Sequence, residues 1–125
     1  MREIFVFGSN EAGIHGAGAA RYAVQRHGAI YNQGVGLQGT SYAIPTKDHN
    51  INTLPIYKIK QYVDEFIKFA EQNPEQRFNV TAIGCGLAGY TPDEIAPLFT
   101  TAPGNCIIPR SFAGIIEWDG ETWES

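Results

Sequence analysis

The chain has 125 residues, 43% of them hydrophobic, and a formal net charge of -4, and these values are typical of one globular domain with its own core. No segment approaches the roughly 20 apolar residues needed to span a bilayer, and the acidic charge argues against a broad surface for duplex DNA or RNA. We therefore expect a single domain over residues 1–125, with no membrane partner and no duplex nucleic-acid partner.

The cysteines and histidines predict neither a disulfide nor a metal site. Cys85 and Cys106 form no CxxC motif, and the N-terminal apolar run of four residues is too short for a secretion signal. We therefore expect two free thiols in a cytoplasmic protein. His15, His27 and His49 lie in segments of different type, so neither a metal nor another cofactor is predicted.

The first third of the chain has the pattern of a strand, a glycine-rich segment and a helix. Residues 3–7 form a β-branched and aromatic run, which predicts a buried strand that gives way to a loop at residues 8–10. Residues 17–27 are rich in helix formers, and Gly28 stands where a helix often ends in glycine. Residues 32–39 have glycines but no periodicity, which predicts a loop.

The middle of the chain predicts two strands around the longest helix. Residues 40–44 favour a strand that Pro45 stops. Apolar residues at helical spacing over residues 55–73 predict a helix with one buried face. Residues 78–83 favour the third strand, which leads into a second glycine-rich segment.

The last third begins with a helix start. Thr91, Pro92 and Glu94 stand where an N-cap residue, a first-turn proline and a capping-box glutamate belong. The predicted helix runs to Phe99, and a fourth strand is predicted at residues 105–108. The remaining tail favours a hairpin that turns at its Asp-Gly dipeptide, residues 119–120.

Alternating strands and helices predict an α/β fold of three layers, in which helices flank a mostly parallel central sheet. In such sheets, ligands bind beyond the carboxyl ends of the strands. Both glycine-rich segments are predicted at that edge.

The first glycine-rich segment, residues 8–20, joins a strand to a helix. Glycines let backbone amides approach an anion, and a helix N-terminus adds partial positive charge, so this segment favours phosphate binding. A tight turn with close helix packing would need the same glycines. Asn10 and His15 have two interpretations as well: they orient a ribose or a water molecule, or Asn10 caps the loop and His15 is simply exposed.

The second glycine-rich segment, residues 83–90, also joins a strand to a helix N-terminus. Two such segments at one sheet edge can hold the two phosphates of a diphosphate, which one segment alone could not do. Tyr90, at the end of this segment, either stacks on a ribose or base or packs against the protein.

Both segments carry a family resemblance. HGAGAA at residues 15–20 and TAIGCGLAG at residues 81–89 resemble the two ligand loops of macrodomains, which bind ADP-ribose, and are most similar to the branch that includes terminal ADP-ribose glycohydrolases. FGSN, GLQGTSYAIPTK and IGCGLAGY, in that order, also resemble a group of short macrodomain-like proteins of phages and bacterial genomes. The resemblance implies a macrodomain-like fold and a protein of the bacterial cytoplasm, encoded by a phage or by the host.

The resemblance also implies which residues meet an ADP-ribose-like nucleotide. The first segment would contact the distal ribose and one phosphate, and the amides of the second would surround the diphosphate. The ligand residues implied are Gly16, Ala17, Gly18, Gly84, Cys85, Gly86, Leu87 and Ala88, and the two segments themselves add Ser9, Asn10, His15, Gly89 and Tyr90 as candidate ligand residues.

This chain differs from the glycohydrolase branch at the residues that would carry out catalysis. Lys47 falls close to the lysine that the glycohydrolases use as a nucleophile, although it has a second interpretation as a solvated or phosphate-pairing lysine. Ala88 stands where those enzymes carry an aspartate. Glu11, Asp48 and Asp93 are the carboxylates close in sequence that could replace it, and Asp93 is equally favoured by the dipole of its helix.

Three ligand-binding functions follow from the two segments. The protein binds ADP-ribose or a related nucleotide, removes ADP-ribose from a protein or nucleic acid as a hydrolase, or, as a phage protein, sequesters a cyclic ADP-ribose-like immune signal. A purely structural module without a ligand is the fourth alternative. Trp118 and Trp123, in the acidic tail, indicate a surface where a second subunit could complete the site.

Overall fold

The computed structural model describes residues 2–125. The strands are β1 (Arg2–Asn10), β2 (Gly36–Gln38), β3 (Ser41–Lys47), β4 (Gln76–Val80), β5 (Cys106–Pro109) and β6 (Thr122–Trp123). The helices are α1 (Gly18–Arg26), α2 (Ile56–Gln72), α3 (Pro92–Ile95), which continues as a 3-10 turn over Ala96–Phe99, and α4 (Arg110–Ala113). The strands form one sheet in the order β2-β3-β1-β4-β5-β6, in which only the β2–β3 pair is antiparallel among the described strands.

Helices cover both faces of this sheet. Because successive residues of a strand point to opposite faces, Ile4 and Val6 of β1 join the larger apolar cluster, to which α2 contributes. Phe7 points the other way and joins a smaller cluster with Ala20 and Ala23 of α1. The predicted α/β class with a mostly parallel sheet flanked by helices is therefore confirmed.

α2 is the long helix that the spacing of apolar residues predicts. Its buried residues recur at intervals of three and four, as an amphipathic helix on a sheet requires. They are Ile59, Val63, Phe66, Ile67 and Ala70. No helix within residues 2–125 is both long and apolar enough to cross a bilayer.

Two predicted helix boundaries are confirmed as well. α1 ends at Arg26, and Gly28 follows with a φ of 70°, a conformation that glycine adopts without strain. α3 begins after Thr91, whose amide donates to the Glu94 carboxylate at 2.9 Å in a capping box.

The first two strands are longer than predicted. Residues 8–10, predicted as a loop, belong to β1 because Gly8 and Ser9 pair with Ile44 and Pro45 of β3. Pro45 does not stop β3, which continues to Lys47. The antiparallel ladder with β2 reaches only to Ala43, so no strand lies on the outer side of Pro45, where a missing N–H is tolerated.

Residues 32–39, predicted as a loop, contain the short edge strand β2. The prediction missed this strand because it has only three residues, one of which is glycine. The side chain of Gln33 lies along this edge, where its Nε2 donates to the carbonyls of Val35 and Leu37 at 3.2 and 3.0 Å. The outer edge of the sheet is therefore partly paired by a side chain.

The predicted C-terminal hairpin is wrong. After β5 the chain forms α4, and β6 then pairs parallel to β5, with Ile108 opposite Thr122. A helical crossover returns the chain in the same direction, which gives parallel pairing where a tight turn would give antiparallel pairing. The Arg77 guanidinium holds the tail through the Glu121 carboxylate at 2.9 Å.

Candidate functional site

A cavity of about 870 Å³ lies at the carboxyl ends of β1, β3 and β4, and its volume is in the upper part of the range of small-molecule sites, roughly 300–1,000 Å³. The first loop (residues 11–17) and the second loop (residues 81–90) both line it. The predicted site residues among its lining are Ser9, Asn10, Gly16, Ala17, Gly18, Lys47, Gly84, Cys85, Gly86, Leu87 and Ala88. The structure thus brings these eleven residues together.

Side chains fix the first loop. The amide side chain of Asn10 donates from Nδ2 to the Ile14 carbonyl at 2.8 Å, and its Oδ1 accepts the Ile14 amide at 2.9 Å. The Ser9 hydroxyl donates to the carbonyl of Gly34, and a Cβ on Gly34 would lie 2.0 Å from the Asn10 carbonyl oxygen. The side chains of Asn10 and Ser9 therefore hold the loop in its conformation. For Asn10, this is the loop-capping role, the second of its two interpretations.

His15 is fully buried, so its interpretation as an exposed histidine is wrong. Its Nε2 lies 3.0 Å from the Gln33 carbonyl, and its ring packs edge-on against Phe7 at 5.3 Å. The side chain does not line the cavity. It anchors the residue directly before Gly16, so its contribution to a site is to position that backbone.

The start of α1 presents unpaired amides to the cavity. The first amide with a partner in this turn is that of Arg21, which donates to the Ala17 carbonyl at 3.2 Å. Among the described residues, no acceptor lies against the amides of residues 16–20, and all five residues line the cavity. Helix geometry leaves these first donors without partners, and their partial positive charge favours an anion.

The second loop is a series of tight turns held by its own backbone. The amides of Cys85, Gly89 and Tyr90 donate to carbonyls within the loop at 3.1, 3.0 and 2.9 Å. The amides of Gly84 and of residues 86–88 have no acceptor within residues 2–125, and these residues line the cavity. Successive free amides of this kind form concave anion sites.

Two glycines of the cavity have no structural reason to be glycine. A Cβ on Gly16 or Gly86 would meet no atom within 4 Å, and neither residue has a positive φ. Gly84, in contrast, has a φ of 76° and lies against Ile95. A ligand that touches the backbone at residues 16 and 86 would explain why both side chains are missing.

Gly89 and Tyr90 do not line the cavity. The Tyr90 hydroxyl donates to the Leu54 carbonyl at 2.5 Å, and its ring packs against the larger apolar cluster. Thr53 supports the same loop, since its hydroxyl donates to the Ala88 carbonyl at 3.1 Å. Tyr90 therefore packs against the protein, which is the second of its two interpretations.

Lys47 lies at the end of β3 and is the only basic side chain among the described residues that line the cavity. No carboxylate within residues 2–125 forms a salt bridge with it. Its ammonium group is therefore available to a ligand anion.

The carboxylates that could have replaced the missing aspartate lie outside the cavity lining. Glu11 accepts the Tyr62 hydroxyl, and burial together with this bond raises the pKa of Tyr62 to about 12. Asp48 accepts the amides of Asn50 and Asn52 at 2.8 and 3.0 Å. Asp93 occupies the first turn of α3, so each of the three carboxylates has a local structural role.

Glu124 is the one carboxylate side chain among the described residues that line the cavity. Arg110 pairs with it at 2.7 Å, and both side chains are mostly exposed. The place that follows Gly-Cys-Gly-Leu is occupied by the methyl group of Ala88. The cavity thus holds a lysine without an acid at the position where the resemblance implies one.

Neither cysteine is suited to nucleophilic chemistry. Cys85 and Cys106 are free thiols. Burial, with a smaller effect of Glu94, raises the pKa of Cys85, and burial raises the pKa of Cys106 to about 12. Because the thiolate is the reactive form, Cys85 lines the cavity as a neutral group.

Sequence reasoning missed several residues of the cavity. Phe5, Tyr22, Ile51 and Trp123 line it from four separate segments. The Trp123 indole donates to the Val80 carbonyl at 2.7 Å, which fixes the tail against β4. No local pattern joins these positions, although an aromatic residue on the exposed side of α1, such as Tyr22, is one signal that a sequence offers.

Both tail tryptophans make hydrogen bonds within this chain, since the Trp118 indole donates to the Glu121 carbonyl at 2.9 Å. Trp118 also packs against the larger apolar cluster. The expectation of a subunit contact at these two residues stays a prediction.

The chain matches no protein-family model, no curated protein and no solved structure. No group of three or more His, Cys, Asp or Glu side chains in residues 2–125 is arranged to hold a metal ion. The site therefore has to be interpreted from its own geometry.

Proposed function

We propose that the cavity binds the diphosphate of an ADP-ribose-like nucleotide, and that the domain is macrodomain-like. The observation that carries this proposal is the pair of open glycines, Gly16 and Gly86, which line one cavity and which the fold itself does not require. Unpaired amides surround both of them.

A diphosphate suits the two sets of amides. The start of α1 supplies one set with the partial charge of a helix N-terminus, and the second loop supplies the other. Hydrogen bonds from backbone amides to a charged oxygen are roughly twice as strong as neutral ones. Lys47 adds the one full positive charge from the described lining, so binding does not need the basic surface that a net charge of -4 lacks.

The nucleobase fits the aromatic part of the cavity. Phe5 and Tyr22 contact edge to face at 5.3 Å, and both line the cavity together with Trp123. An adenine ring is flat and apolar on its faces, so aromatic side chains hold it by stacking. We therefore assign the base to the part of the cavity between α1 and the tail.

Binding without turnover is the function that this geometry favours. A glycosidic bond is broken with the help of an acid or base beside the reacting carbon, and Ala88 supplies neither. The hydrolase alternative retains Lys47 and Glu124 as the charged side chains of the described lining, and Arg110 pairs with Glu124 at 2.7 Å. Sequestration of a nucleotide signal needs only the binding chemistry described above, so it is a biological use of the same site.

Calorimetric titration with ADP-ribose, ADP and AMP tests the proposal. We expect ADP-ribose and ADP to bind about tenfold more tightly than AMP, because only a diphosphate reaches both sets of amides. Chromatography of the ligand after incubation should return it unchanged. Absence of heat with all three compounds would contradict nucleotide binding, and release of free ADP-ribose from an ADP-ribosylated protein incubated with the chain would restore the hydrolase alternative.

A further inference from the structure

Three exposed aliphatic side chains line the cavity. We call them the aliphatic rim: Ile14 of the first loop, Ile51 of the segment after β3 and Leu87 of the second loop, which are 50%, 41% and 73% exposed. Single exposed aliphatic residues are common on proteins, but several at one cavity indicate a surface that a ligand or partner covers.

The backbone at Ile51 is strained. Ile51 has a φ of 64°, a region that β-branched residues enter only at a cost in free energy. Its neighbours enforce this conformation, because the Asp48 carboxylate accepts the amides of Asn50 and Asn52, and the Asp48 carbonyl accepts the Ile51 amide at 3.1 Å. An asparagine or glycine would adopt this backbone conformation at a lower cost in free energy. An isoleucine at this position therefore indicates a role for its side chain.

The polar side chains beside the rim are mostly committed. Both polar atoms of the Asn10 amide bond to Ile14, and the Ser9 hydroxyl bonds to Gly34. Lys47, which also lines the cavity, forms no salt bridge with a carboxylate of residues 2–125. The terminal ribose of ADP-ribose has one hydroxyl more than the nicotinamide ribose of NAD, at the anomeric carbon, and this hydroxyl loses a water partner on binding and needs a new one.

We propose that the aliphatic rim holds a second heterocyclic ring, so that the site prefers a dinucleotide, with two bases joined through a diphosphate, to a nucleotide that ends in a free ribose. This inference rests on the proposed function, which supplies the diphosphate and the first base. The rim contacts the faces of the second ring, and Ile51 is a specificity-determining residue for it.

Titration of the wild-type chain with oxidised NAD and with ADP-ribose tests the preference, because the two ligands differ in the nicotinamide ring. We expect NAD to bind roughly tenfold more tightly, the gain from burying one ring face and three aliphatic side chains. Equal or tighter binding of ADP-ribose would overturn the dinucleotide assignment and leave the proposed function intact. Failure of both ligands to bind would overturn the proposed function as well.

Two variants locate the effect at the rim. Ile51→Asn should abolish the preference for NAD while the thermal midpoint stays the same or rises, because asparagine tolerates this backbone conformation. Leu87→Ser, at a mostly exposed position, should reduce the preference without unfolding the protein. Ile115→Asn is the matched control, since Ile115 is 40% exposed and does not line the cavity, and it should leave the preference unchanged.

The same variants separate a ligand from a second copy of the chain. If Ile51→Asn and Leu87→Ser keep the preference for NAD, the rim does not contact the ring and the inference is wrong. If they shift the mass in light scattering and leave both affinities unchanged, the rim is an interface between copies, which also overturns it. A lower thermal midpoint for Ile51→Asn with unchanged affinities would show that Ile51 serves the fold alone.

Discussion

The two loops of the cavity are held in place by different means. The first loop is fixed by side chains from outside it, chiefly Asn10 and Ser9, and by close contact of Gly34 with the Asn10 carbonyl. The second loop is held by hydrogen bonds within its own backbone, and Gly86 stands in open space. Gly34 is therefore crowded by packing beside the first loop, whereas the backbone at Gly86 is open to the cavity.

This difference predicts opposite consequences for the same type of substitution. A side chain added where the backbone is crowded should damage the fold, and one added where it is open should damage only binding. Gly34 does not line the cavity and Gly86 does, so the effects of a new side chain on stability and on affinity can be measured separately.

Gly34→Ala should have the largest effect. The new Cβ would lie 2.0 Å from the Asn10 carbonyl oxygen, so the segment must move and break the Ser9 bond. We expect a loss of about 3 kcal/mol or more in the free energy of unfolding, measured by urea denaturation. A stability within about 0.5 kcal/mol of wild type would show that the crowding described here is easily relieved.

Gly86→Val should abolish binding and leave the fold intact. The valine side chain would occupy the space where the diphosphate meets the second loop, and the loss of two charge-assisted hydrogen bonds corresponds to roughly a hundredfold or more in affinity. Gly104→Val is the matched control, because Gly104 is equally open but does not line the cavity. Retained affinity in Gly86→Val would mean that the second loop is only a turn.

Lys47→Ala tests the one positive charge from the described lining of the cavity. We expect affinity for ADP-ribose to fall about tenfold, and the salt dependence of binding to weaken, because a single screened ion pair is lost. Lys47→Arg should retain most of the affinity, as it keeps the charge. Unchanged affinity in the alanine variant would place the ammonium group in solvent.

The smallest expected effect is on the pH dependence of stability and comes from His27, directly after the C-terminal end of α1. Burial, with a smaller effect of Arg26, lowers the pKa of His27 below its ordinary value of 6.5. The neutral ring, which stacks on Phe5 at 4.7 Å, therefore stabilises the fold above about pH 6.5, and this contribution is lost as the pH falls through the lowered pKa. His27→Gln should flatten the decline in thermal midpoint over this acidic range, and an unaltered slope would contradict the assignment.

Local patterns predicted the parts of the fold that depend on neighbours in sequence. The amphipathic spacing of α2 recurs along one continuous stretch of the chain, and the capping box of α3 depends on the four positions from Thr91 to Glu94. β2 and the parallel β6 were missed because short strands depend on a partner elsewhere in the chain. Pro45 misled the prediction because its tolerance depends on where β2 ends.

The residues of the candidate site also fall into two groups, those that local sequence predicts and those that only the tertiary structure reveals. Glycine content and position after a strand predicted both loops, and the cavity brings them together. Ile51 and Trp123 enter the cavity through tertiary structure, so no spacing could indicate them. His15 and Tyr90 were plausible by position, but their side chains turn into hydrogen bonds and packing that only the fold reveals.

Gln33 has a consequence for the behaviour of the protein in solution. An edge strand with free carbonyls is a template on which a second chain can extend the sheet. On β2, the side-chain amide of Gln33 already occupies the carbonyls of Val35 and Leu37. These two hydrogen bonds thus discourage self-association along β2, where Leu37 of the strand and Val35 directly before it are apolar and exposed.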